Sequence, residues 1–188
     1  EDVRWAPVDV RAVTYDNAGQ LWFAAPQGVG CRMRNGQWRL FTGQQGLPFN
    51  DFTCIAAGPD AVWFGTTNGA VKFADDKWFF RQGRRWLLDN HVRDIEVDSG
   101  GNAWVATSAG ISCIAARPMT LADKAAYYEQ EIEQYNRRTV WGYVNPANLS
   151  PPGDKSTAVP AYSDNDGFNT GLYLAAVSFA SSVTNDPK

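Results

Sequence analysis

Histidine and cysteine are scarce in this sequence, at one and three residues of 188, and both scarcities exclude chemistry. His91, the lone histidine, has no serine or cysteine near it in sequence, so a Ser-His-Asp arrangement has no support. Cys31, Cys54 and Cys113 include no pair at the close spacing of a zinc site or a redox motif, so no metal is expected. No cofactor is expected either. Positive charge is also short: 17 Lys and Arg against 20 Asp and Glu leave a net charge of −3. Phosphate-backbone recognition needs clustered cations, so no nucleic acid is expected as a partner. The nearest thing to a basic patch is Arg81, Arg84 and Arg85 between Trp78 and Trp86, which reads as a solvated loop. No apolar run approaches the ~20 residues that span a bilayer. Glu1-Asp2-Val3-Arg4 is not the basic-then-apolar start of a secretory leader, although a trimmed chain would begin in the same way.

What the sequence does have is aromatic residues and a repeat. Aromatics make up 13% and apolar residues 44%, a globular composition. Leu21-Trp22-Phe23-Ala24-Ala25-Pro26-Gln27-Gly28 returns as Val62-Trp63-Phe64-Gly65-Thr66-Thr67-Asn68-Gly69 and again as Ala103-Trp104-Val105-Ala106-Thr107-Ser108-Ala109-Gly110. Both intervals between the tryptophans are 41 residues, and a glycine follows each tryptophan six positions later. Ahead of each stands an alternating segment (Val10 to Val13, Phe52 to Ile55, Val92 to Ile95) and a turn rich in Gly, Asn and Asp. A third strand follows the glycine, and Trp38 to Phe41 and Trp78 to Phe80 supply a fourth. Four short antiparallel strands at a period near 40 residues define a propeller blade. A β-sandwich could use the same Trp and Gly as core filler, but gives no reason for two equal intervals.

These residues resemble the two-component regulator propeller repeat. The likeness lies in aliphatic-x-x-aliphatic, Asp, a Gly or Asn turn, a hydrophobic residue before Trp, then Gly, and in Gly46-Leu47-Pro48-Phe49-Asn50. It covers roughly residues 8–115. Copy two departs from it, with one residue fewer before Trp63, Gly58-Pro59 in place of an acidic turn, and Arg84-Arg85-Trp86-Leu87-Leu88 in place of Gly-Leu-Pro. The resemblance implies an extracellular or periplasmic location.

Three blades do not close a ring, since propellers have four to eight. Copy three also stops after its third strand. The expectation is therefore a mainly β chain: a partial propeller over 1–117, then a helical segment over 118–188. Other chains or further blades would complete the arc. Arg4-Trp5 repeats the spacing of Arg85-Trp86 to the next strand, which leads one to expect blades before Glu1. Cys31 and Cys113 each stand three residues past their repeat's glycine, too far apart for a disulfide if their blades are not adjacent, so buried free thiols are expected.

Beyond Pro118 the character changes. Thr120 with Asp123 reads as a helix N-cap, opening a helix near 121–138 in which Tyr128, Ile132 and Tyr135 form one stripe. Glu129, Glu131 and Glu133 then read as a solvated face. Residues 142–167 form a Pro- and Gly-rich loop that includes Asn148-Leu149-Ser150, a formal N-glycosylation acceptor. A second helix near 168–183 follows, with Leu172, Ala176, Phe179 and Val183 along one side. Ser163-Asp164-Asn165-Asp166-Gly167, this apolar helix and the closing Asp186-Pro187 resemble the opening of an (α/α) toroid of glycan-active enzymes.

Asp164 and Asp166, at a loop-to-helix junction, are the candidate catalytic acid and base, and equally helix caps, with Asp166 as N-cap. An EF-hand reading fails, because Tyr162 would fall at the first ligand position. Trp86, Arg84, Asp89 and Asn90 are candidate ligand-binding residues on a blade-loop face. Three function classes stand open: an extracytoplasmic binding or assembly module with a glycan or peptide ligand, part of a glycoside hydrolase or polysaccharide lyase built from propeller plus toroid, or a structural subunit completed by neighbouring chains. The first is preferred.

Overall fold

The structure, a computed structural model, describes residues 7–137 and 139–185. Arg4 and Trp5, and Asp186 with Pro187 at the other end, lie outside the described residues. The chain divides into two compact units, Glu1–Arg117 and Pro118–Lys188.

The first unit is a partial β-propeller of three successive sheets. Blade one is β1 (Ala12–Tyr15), β2 (Leu21–Ala25), β3 (Gly28–Arg32) and β4 (Trp38–Phe41). Blade two is β5 (Phe52–Ala57), β6 (Val62–Thr66), β7 (Gly69–Ala74) and β8 (Lys77–Arg81). Blade three has three strands, β9 (Val92–Val97), β10 (Ala103–Thr107) and β11 (Gly110–Ile114). Each sheet is an antiparallel meander, and the first strands pack in succession, β1 on β5 and β5 on β9. This order sets the β2–β3 type of turn and the interblade connections at one end of the blades, with the other hairpins at the opposite end.

Register explains why the sequence repeats. Trp22 pairs with Cys31, Trp63 with Lys72 and Trp104 with Cys113, so one residue pair recurs at one place in every blade. Gly28, Gly69 and Gly110 open the third strands at φ 141°, 127° and 130°, a region that disfavours side chains. At Gly69 a Cβ would also lie 2.6 Å from the Arg81 carbonyl oxygen, so the neighbouring strand leaves no room for one.

Apolar side chains that alternate along the strands form two cores, each between a pair of blades. Trp22, Val29, Cys31 and Phe41 of blade one meet Phe52, Val62, Phe64 and Phe73 of blade two. Cys54, Ala56, Trp63 and Leu87 meet Val92, Ile95, Ala103 and Val105 of blade three. Cys31 and Cys54 are buried, but Cys113 is exposed, which corrects the expectation of three buried thiols. The reason is physical: Cys113 lies on the outer face of blade three, where no described residues cover it.

Two departures from the repeat acquire causes. A Cβ at Gly58 would lie 2.5 Å from Val97 Cγ1, so blade three fills the space that an aspartate occupies in the other copies. Copy two lacks the Gly and Pro of the Gly-Leu-Pro motif, but two of its structural positions survive. Leu87 is buried like Leu47, and Asn90 takes the place of Asn50. The Asn50 amide donates to Pro26 O at 2.6 Å, while the Asn90 carbonyl accepts from Gly69 N at 2.7 Å; both tie an interblade loop to the turn of the preceding blade.

In the second unit, α1 (Leu121–Glu131) starts with a capping box between Thr120 and Asp123. The helix does not run on to 138: a π-helical turn takes over at Ile132–Asn136, closed by Arg137 N donating to Ile132 O. Inside the 142–167 loop, two-residue strands β12 (Ala147–Asn148) and β13 (Val159–Pro160) pair. Helix α2 spans Asp166–Thr184. Leu172, Phe179 and Val183, three members of the one-sided stripe read from the sequence, are exposed on α2.

Candidate functional site

The end of blade two that carries the β6–β7 turn is shaped by the 82–91 connection. Gly83, at φ 76°, turns the chain, and its carbonyl accepts from Trp86 N and Leu87 N, both at 2.9 Å. Leu87 anchors the loop in the second core at 2% exposure. Around the half-buried Trp86 stand two guanidinium groups, with Arg81 Cζ at 4.6 Å and Arg85 Cζ at 5.3 Å from the ring centroid. Cation–π attraction holds them on the indole. Arg81 also lies 5.6 Å from the Phe79 ring and donates to Phe80 O at 3.2 Å. Burial, and then the like charge of Arg85, lowers the basicity of the Arg81 guanidinium.

The four expected ligand-binding residues therefore separate into two groups. Arg84 is exposed and Trp86 is the platform beneath the arginines. Asp89 and Asn90 brace the loop instead. The Asp89 carboxylate accepts from Ser108 Oγ of blade three and from His91 N at 3.3 Å. The Ser108 bond, followed by the His91 amide, pulls its pKa below the ordinary carboxylate range. Asn90 Oδ1 accepts from Gly83 N at 2.7 Å. Arg81 and Arg85 join the site through space, and only the cluster of three arginines beside Trp86 signalled them in the sequence.

The helical unit contains a cleft of about 290 Å³ lined by Glu129, Glu133, Arg137, Thr170, Tyr173 and Val177. Glu133 Oε1 accepts from Arg137 Nη1 at 2.7 Å and from Tyr173 OH at 2.6 Å. Burial, then the Glu133 hydrogen bond, pushes the Tyr173 phenol up to about 12. The Tyr173 bond, then Arg137, lowers the Glu133 pKa. Glu133 is therefore held as the anion and Tyr173 as the neutral donor. The glutamates expected on a solvated face carry contacts as well: Glu133, exposed on the π-turn that follows α1, bonds to Tyr173 of α2, and Glu131 pairs with Lys155 of the loop.

Asp164 is exposed. Asp166 is not the N-cap, a place taken by Asn165, which makes no side-chain cap bond. The Asp166 carboxylate reaches back instead to accept from Ser163 N at 3.2 Å and Ser163 Oγ at 3.0 Å. Asn148 is exposed on β12.

No protein-family model and no curated protein matches the chain. Solved structures do. One is the extracellular domain of a proposed hybrid two component system from B. thetaiotaomicron, with 29% identity over 55% of this chain and 15% of that one, at a TM-score of 0.45. Another is the extracellular domain of a proposed one component system from the same organism, with 16% identity over 61% and 17% and a TM-score of 0.44. A third is virginiamycin B lyase from Staphylococcus aureus, with 16% identity over 58% and 42% and a TM-score of 0.44. The chain thus spans between 15% and 42% of the length of these proteins. No helix among the described residues is long and apolar enough to cross a membrane.

Proposed function

We propose that this chain is an extracytoplasmic propeller module for binding and assembly, and that further blades cover both ends of its arc. The observation that carries this reading is a repeated face. On blade one, Trp22 pairs with Cys31 and Ala24 with Val29, and blade two covers them. On blade three, Trp104 pairs with Cys113 and Ala106 with Ile111 in the same register. Yet Trp104 is 47% exposed where Trp22 is 4%, and Ile111 is 68% exposed. A face patterned for burial and left open marks a contact surface.

The opposite end of the arc is its complement. Phe23 and Trp38 on the outer face of blade one meet edge-on at 69°, with ring centroids 5.7 Å apart. Phe64 and Trp78, on the face of blade two that receives Trp22, stand at the same 5.7 Å separation but are tilted at 51°. One end presents Trp104 and the other presents Trp38, 50% exposed beside the buried Phe23, which is the polarity of a head-to-tail contact. Cys113 reports on this surface. In the full-length protein, or in its assembled complex, Cys113 alkylation slows to the rate of Cys31. Equal Cys113 reactivity there and in the 188-residue chain overturns the reading.

A second reading, a two-domain glycoside hydrolase or polysaccharide lyase, draws support from the Glu133–Arg137–Tyr173 constellation in the cleft. An anionic carboxylate and a neutral phenol on one hydrogen bond form an acid–base pair. In that case Glu133→Gln abolishes glycan cleavage by the full-length protein. Undiminished cleavage removes the pair from the chemistry.

A further inference from the structure

We propose that Arg81 and Arg85, which stand against Trp86 at the loop end of blade two, together with the exposed Arg84 of the same loop, bind the acidic groups of a polysaccharide. This rests on the binding reading above and assigns it a ligand class. The indole carries guanidiniums at 4.6 and 5.3 Å from its centroid, so it positions arginines and is not an open platform for a neutral sugar ring. Two like charges held together repel each other, and that repulsion adds to burial in lowering the basicity of Arg81. An anion placed between them relieves that repulsion. Among the described residues no carboxylate forms an ion pair with Arg81 or Arg84, whereas Arg11 and Arg39 of the same unit pair with Asp9 and Asp76.

The loop is built before any ligand arrives. Gly83 N, Trp86 N, Leu87 N and Leu88 N all donate within the fold, the last to Ser112 Oγ at 3.1 Å. Rigid placement of planar forks favours bidentate recognition of carboxylate or sulfate. These four amides therefore have no donor left for a peptide main chain, which favours recognition through the side chains. Phe79, 36% exposed beside Arg81, adds an apolar edge suited to the C–H face of a sugar. The chain as a whole carries −3 with a pI near 5.1, so general attraction to polyanions is absent and retention by one must be local.

Affinity electrophoresis in gels containing polygalacturonate, dextran sulfate, dextran or poly-glutamate tests this at neutral pH. Retardation by polygalacturonate, dextran sulfate or both is expected, with none by dextran, and the two acidic gels distinguish carboxylate from sulfate recognition. The exposed pair Arg84→Gln/Arg85→Gln weakens retention about tenfold, by the loss of charge-assisted bonds, while Arg84→Lys/Arg85→Lys keeps most of it. No retardation by either acidic polysaccharide, equal retardation by dextran, binding to poly-glutamate alone, or retention unchanged in the Gln variant each overturns the proposal. Cys113 protection in the full-length protein is measured on the same variant. Protection with lost retention leaves the module reading intact, and retention without protection removes that reading alone.

Discussion

Trp22 Nε1 donates to the Asp16 carboxylate at 2.8 Å, and Trp104 Nε1 repeats that bond to Asp98 at 3.1 Å, 82 residues further on. The aspartate at the turn thus holds the tryptophan at the start of the next strand, joining turn chemistry to core position. The Asp98 carboxylate accepts from the Gly100 and Asn102 amides, the Asn102 side chain and the Trp104 indole. The Asn102 side chain first, then Trp104, holds its carboxyl at about 2. Because the folded value lies below the ordinary 3.8, this contribution to stability is complete above pH ~4 and is lost as pH falls toward 2. Asp98→Asn is expected to be less stable than wild type at pH 7 and to lose less stability over that acid interval. Melting temperatures followed by near-ultraviolet circular dichroism at pH 7, 4 and 2.5 check this, and parallel curves for the two proteins refute it.

The glycine that follows each tryptophan makes a second prediction. Gly69→Ala forces a side chain into φ 127° and against the Arg81 carbonyl, so a loss of about 2–4 kcal/mol is expected. Gly36 provides the control. It too has positive φ, at 84°, but nothing lies within 4 Å of the place its methyl would take, so Gly36→Ala costs about 1 kcal/mol. Urea unfolding of the three proteins ranks them, and equal midpoints for the two variants would show that the close approach carries no energy.

The propeller was legible because its signal is covalent and periodic. A tryptophan and a glycine at fixed separation recur with a fixed strand register, so three copies reinforce one another. The interblade motif of copy two was hidden because only its two structural points survive. Leu87 keeps the buried anchor and Asn90 keeps the tie, while Trp86 and Leu88 stand where Gly46 and Pro48 do. The helical cleft was illegible for another reason. Glu133 and Tyr173 are 40 residues apart, and the π-turn at Ile132–Asn136 breaks the 3.6-residue phase that a periodicity reading extends through Glu133. Asp166 misled through its position: a carboxylate at a helix start can cap forward or reach back, and Ser163 decided which.

The cysteines differ enough for chemistry to tell them apart. Burial, then the Asp16 charge, pushes the Cys31 thiol up to about 11, and burial raises Cys54 as well. Thiolate is the reactive form, so both react slowly with iodoacetamide at pH 8. Cys113 is exposed and is expected to supply the fast phase of the 188-residue chain, which Cys113→Ser removes. Mass spectrometry of tryptic peptides locates the label. Early modification of Cys31 would place blade two away from blade one in solution.

Tyr173 offers the sharpest reading of the helical unit. Its phenol is raised from 10.0 to about 12, chiefly by burial and secondly by the Glu133 hydrogen bond. Since the folded value exceeds the unfolded one, the stability contributed by the neutral phenol is complete below pH 10 and is lost as pH climbs toward 12. Tyrosinate absorbance is expected to show one of the seven tyrosines ionising late, and Tyr173→Phe removes that step. Glu133→Gln moves the step only part of the way back, because burial is the larger cause and the substitution leaves it in place. A full return to the ordinary tyrosine range would make the carboxylate the governing influence. A step unmoved by Glu133→Gln would mean that the bond joining the π-turn to α2 does not form in solution.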